Sequence, residues 1–317
     1  MISLKLWHAL SKPPRQHPLF QYVLADSKRE KPGVTSGFVV WVLMLASFMF
    51  VWAVIFKPVM GIILALFVAL NSIYATRWVL RISRIILEEK QSRRFDLLAS
   101  LPIGLLGTSW ALSTGAVHQR SSFRWLPYLI LMVVIIAFIA LCGLITVTFA
   151  LLEQLSNNEA ALMANLDFVR IGIQIIPFVI LFYIDHIYSI LTAIILGQIA
   201  TIDIANIAEG QVRALLGFLA IQVMTYLIAF LISIVGLPYL FNLFGFTGVG
   251  HLVLSAVIGI AVFVSMREWT TYLLWSFLTH ALEADVDEKN LVLKPFYEAE
   301  AILRESQRAR LQHMDTA

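Results

Sequence analysis

Six stretches of this chain, residues 37–56, 59–79, 126–151, 171–190, 215–235 and 252–275, are apolar over lengths of 20 residues or more. Crossing the ~30 Å hydrocarbon layer of a bilayer takes about 20 residues of helix, and an open segment must satisfy its own backbone groups there, which an α-helix does. Composition agrees, with 60% of the residues apolar and 14% charged, against roughly 45–50% and about 25% in water-soluble domains. The surplus apolar surface needs lipid as its solvent, which excludes a water-soluble enzyme. The expected fold class is all-α: a polytopic integral membrane protein with six transmembrane helices.

Charge sets the expected orientation, because Lys and Arg near span ends are retained on the cytoplasmic side. Residues 1–37 carry Lys5, Lys12, Arg15, Lys28, Arg29 and Lys31, and the segment from Arg77 to Arg124 is equally basic. The hairpin between the first two spans offers only Lys57, beside Pro58, and the connection after the third span only Arg170. Both termini are therefore expected in the cytoplasm. The chain divides into a cytoplasmic N-terminal segment with an interfacial helix (1–36), a six-span domain (37–275) and a cytoplasmic helical tail (276–317). No apolar run precedes Gly37, so the first span is expected to serve as the insertion signal. The expected location is the cell (inner) membrane.

Patterns that carry chemistry in enzymes do not occur. Cys142 is the one cysteine, the histidines show no zinc-ligand or H-E-x-x-H spacing, and no G-x-x-x-x-G-K-[ST] phosphate loop is present. The expectation is a chain that is not an enzyme and binds neither metal nor cofactor itself. Basic residues near the inner surface are explained by anionic lipid headgroups, so nucleic acid is not an expected partner.

The most informative segment is 85–104, which joins the second and third spans. Phe95, Leu98 and Pro102, with Leu97 and Leu101 alongside, recur at helical spacing, while Glu88, Glu89, Lys90, Arg93, Arg94 and Asp96 are charged. The spacing predicts a short amphipathic helix at the cytoplasmic face, ended by Pro102. On composition alone it reads first as an interfacial helix that merely reconnects two spans.

An acidic-basic cluster after the second span, then a Leu-Leu pair and a Leu-Pro, resembles the coupling-helix segment of ABC-2-type transporter permeases, the matching positions being Glu88, Glu89, Leu97, Leu98, Leu101 and Pro102. Ser92, Arg93 and Arg94 depart from the Gly-Thr step of that family. His17-Pro18-Leu19-Phe20, followed by Tyr22, Val23 and Leu24, is similar to the opening of its first interfacial helix, with His17 in place of Asn. The resemblance implies the permease subunit of an exporter that works with a second permease half, as a homo- or heterodimer. ATP would be hydrolysed by a separate ABC ATPase subunit, engaged through Glu88, Glu89, Phe95, Asp96, Leu97, Leu98, Leu101 and Pro102. The alternative from another class is a non-transporting membrane scaffold or assembly factor.

Ionisable groups within spans cost about 2.5–3.5 kcal/mol at mid-bilayer on insertion scales. Asp185 and His186 are the candidates, either as a structural hydrogen-bonding pair or as the lining of a translocation path. Arg267 and Glu268, adjacent in sequence, are expected to mark the inner boundary of the sixth span. The uncharged, aromatic and glycine-rich segment 236–250 suggests re-entrant helices on the outer side or a turn in the headgroup layer.

Overall fold

The computed structural model describes residues 1–11, 20–22, 60–99, 104–119, 180–245 and 249–293. The spans expected at 37–56 and 126–151, and the tail helix expected beyond Pro295, lie outside them. Among the described residues all regular structure is helical. In chain order the elements are α1 (Ile2–Ser11), α2 (Met60–Gln91), α3 (Arg94–Ala99), α4 (Gly104–His118), α5 (Ile180–Ile199), α6 (Ile207–Phe230), α7 (Leu237–Leu243), α8 (Val249–Ala281) and α9 (Val286–Leu293). Within α5, α6 and α8, the segments Ile180–Ile199, Ile207–Ala229 and Val257–Ala281 are each long and apolar enough to cross a membrane. The chain is a helical membrane protein of the multi-pass kind.

The helices do not stop where the apolar runs stop. The second apolar run ends at 79, yet α2 continues to Gln91. The fourth ends at 190, yet α5 continues to Ile199. The fifth begins at 215, yet α6 begins at Ile207, because Asn206 caps it: its side-chain oxygen accepts from Ala208 N at 3.0 Å. Glu209 in the first turn complements the positive end of the helix dipole. At 1.5 Å per residue α2 and α8 are each about 48–50 Å long, well beyond the ~30 Å that hydrocarbon requires.

The surplus of α2 lies beyond its apolar run, at the end where α5 finishes. There the Lys90 ammonium donates to the Thr201 carbonyl and, at 2.9 Å, to the Ile202 carbonyl, and Gln91 Nε2 donates to Ala205 O at 2.8 Å. A cation on the carbonyls of the turn that follows α5 satisfies groups that no helix hydrogen bond uses and lies near the negative end of that helix's dipole. Close packing continues from this end: a Cβ on Gly197 would sit 3.0 Å from Ile82 Cγ2 and 3.2 Å from Val79 O, so glycine sets how near α5 lies to α2.

Helix α4 fills the middle of this end. Every residue from Leu106 to His118 is buried, and Trp110 meets Trp275 of α8 edge to face with centroids 5.6 Å apart. Its small and hydroxylated residues allow this. Ser109 Oγ bonds Leu106 O and Gln198 Oε1, both at 3.0 Å, and Ser113 Oγ bonds Ser109 O at 2.8 Å, so these two hydroxyls are met within the core. Around α4 gather Leu6 and Leu10 of α1, Ile82 and Ile86 of α2, and Leu278 of α8. The 77–124 segment is thus no simple connection between spans, since it contains a core helix.

Helix α1 docks along α8. Glu268 accepts from the backbone amides of Ile2 at 2.5 Å and Ser3 at 3.4 Å, and from the Ser3 hydroxyl. Tyr188 OH adds a bond to the same carboxylate at 2.9 Å. Two of the amides that a helix start leaves unsatisfied are thereby capped from a different helix. The segment 236–250 is entered through six residues of π-helix, Leu231–Gly236, which extend α6 and run into the short α7; residues 246–248 lie outside the described ones.

Candidate functional site

Buried charge lies about four to six turns along α5 and α2 from the packed end. Arg267 of α8 is 0% exposed and forms an ion pair with Asp185 of α5, itself buried. Asn71 Nδ2 of α2 donates to Asp185 Oδ2 at 2.5 Å, and Tyr226 OH of α6 donates to the same oxygen at 2.8 Å. One carboxylate therefore ties four helices together. The guanidinium carbon of Arg267 lies 5.0 Å from the centroid of the Tyr226 ring and 5.4 Å from that of Phe263, so two aromatic faces receive the cation.

Hydrogen-bond logic orients the rest. A carboxylate only accepts, so the Asn71 amide nitrogen faces Asp185 and its Oδ1 faces His186 Nδ1, 2.6 Å away. Nδ1 must then be the donor. The Tyr74 ring lies over the imidazole, with centroids 5.4 Å apart. His186 Nε2 and the Nε and Nη1 of Arg267 are buried with no hydrogen-bond partner among the described residues. Buried polar groups of this kind are exceptions that need a reason.

Sequence reasoning singled out Asp185 and His186, and the structure sets both inside the cluster. It placed Arg267 and Glu268 at the inner boundary of the sixth span, whereas both lie well inside the membrane-length segment Val257–Ala281. The two point in different directions, as neighbours on a helix must: Arg267 inward to Asp185, Glu268 to α1. Asn71 and Tyr226 were missed, although a lone Asn within the second apolar run was a visible signal.

The segment 85–104 is not one helix. Residues 85–91 are the end of α2, a turn at Ser92 and Arg93 follows, and α3 covers only Arg94–Ala99. Arg93 has φ 56°, the left-handed conformation that favours glycine. Glu88 is exposed and pairs with Arg84 at 2.7 Å. Glu89 accepts from Tyr22 OH at 3.2 Å, and Arg94 donates to that hydroxyl at 2.8 Å, which fastens residues 20–22 to the α2–α3 joint. Phe95 is buried, with Lys90 Nζ 5.5 Å from its ring centroid.

Leu97 is 72% exposed, whereas Leu98 is partly covered and its carbonyl accepts from Thr108 Oγ1 at 3.0 Å. Asp96 lies within α3; Leu101 and Pro102 lie outside the described residues. The Leu-Leu pair therefore splits, one residue exposed and the other partly covered. No protein-family model, curated protein or solved structure matches the chain.

Proposed function

We propose that this chain is the permease half of an ABC-type transporter of the exporting kind, in the inner membrane with both termini cytoplasmic. Six spans form the translocation path with a second permease half, and a separate ATPase subunit acts on α3. The observation that carries the reading is the continuity of α2. From Asn71, in the buried charge cluster, to Gln91, beside α3, the helix is unbroken, a rod of about 30 Å. Such a rod moves as a unit, so a push on the exposed Leu97 corner is felt at Asp185 and His186. Lys90 ties the end of α5 to the same body, since it holds both the Phe95 ring and the carbonyls of Thr201 and Ile202 in the turn after α5. The basic end of the bundle, where α3 lies, is the end that the charge bias assigns to the cytoplasm.

Leu97→Asp separates this reading from a passive scaffold. The side chain is exposed, so folding changes by no more than about 0.5 kcal/mol. The expected result is normal insertion with loss of co-purification of the ATPase subunit from detergent extracts. An ATPase retained at wild-type level, or none associated with the wild-type protein, removes the permease reading.

A further inference from the structure

The charge cluster is unbalanced in a way that names a ligand. Asp185 accepts from three donors, Arg267, Asn71 and Tyr226. Arg267 gives that carboxylate one nitrogen, Nη2, and its Nε and Nη1 bond nothing among the described residues although the side chain is wholly buried. The anion is satisfied and the cation is not. The aromatic faces of Tyr226 and Phe263 approach the guanidinium, but a π face takes charge and does not replace an in-plane acceptor for an N–H.

The geometry points to Arg267 as the binding group for one oxyanion, a carboxylate or phosphate group that accepts from its open edges. A planar fork of donors suits such a group better than a point charge does. With Asp185 already neutralising one unit of charge, the added anion makes the site net negative by one. The open edge therefore favours brief occupancy over permanent retention, as a transport path requires. Entry needs α6 or α8 to move, and the π-helical Leu231–Gly236, which begins five residues after Tyr226, is a segment where α6 repacks without losing its hydrogen bonding. The inference rests on the permease reading only in calling the anion cargo; the binding itself does not depend on it.

The oxyanion can come from a soluble solute or from a lipid headgroup, and the test has an arm for each. The full chain is held in a maltoside detergent, which contains no phosphate, and its thermal unfolding is followed against inorganic phosphate, with chloride at matched ionic strength as the reference. A saturable upward shift is expected for phosphate over chloride. Arg267→Lys keeps the charge opposite Asp185 and loses the fork, so the half-saturating phosphate concentration should rise at least tenfold. If that variant does not fold, the uncharged pair Asp185→Asn with Arg267→Gln takes its place and should abolish the shift. In the second arm, phosphatidylglycerol is added to the detergent with no soluble phosphate; an Arg267-dependent shift seen only there assigns the oxyanion to lipid. No Arg267-dependent shift in either arm overturns the inference. Failure of the permease reading shows instead as missing ATPase association, with these shifts intact.

Discussion

Removing one partner from a buried ion pair strands the other charge in a medium that cannot solvate it, whereas replacing both with apolar residues of similar size is often neutral. At the residue scale this predicts a sharp asymmetry around Asp185 and Arg267. Asp185→Leu alone should destabilise the protein by about 3–5 kcal/mol, and Asp185→Leu with Arg267→Met by much less. Unfolding midpoints of the two single variants and the double variant, taken as a cycle, check it; additive losses would show that the pair is not coupled. Arg93 offers the opposite case. Its positive φ strains a residue with a Cβ, so Arg93→Gly should stabilise by about 1 kcal/mol.

Helix α1 shows what one distant side chain does for an element. Ten residues are too few to hold a helix in water unaided. Its apolar face on α8 and the Glu268 cap supply what propensity does not. Glu268→Gln keeps the shape and weakens charge-assisted bonds, and a cost of about 1 kcal/mol is expected. Faster amide exchange confined to residues 2–11 is the sign to look for; uniform exchange throughout would mean that Glu268 supports α8 instead. A second element-level test is Gly197→Leu. The side chain has no room between α5 and α2, and overpacking there should cost about 1–3 kcal/mol, read as a lowered unfolding midpoint.

For the whole molecule, the common end of α2, α5 and α6 makes a statement about sidedness. Ser92 and Asp203 are both exposed there, so single cysteines at these positions, in a background with Cys142 replaced, should react with an impermeant thiol reagent from the same side of the membrane. Labelling from opposite sides would mean that α2 and α5 do not run parallel, and the lever argument would lose its basis. The sequence by itself determined the class of the molecule: apolar runs of bilayer length leave a chain little choice but helix, and Asp185 and His186 stand out because charge among apolar residues is visible one residue at a time. It also marked the region after the second apolar run as the segment with the most to say. Only the tertiary structure decided that Arg267 turns to Asp185 while Glu268 turns to α1, that Asn71 joins them, and that 104–118 is core. Hydropathy measures a residue's preference for solvent, and what these residues meet is another helix; a contact between positions 82 residues apart, as between Arg267 and Asp185, is set by packing that no local pattern records.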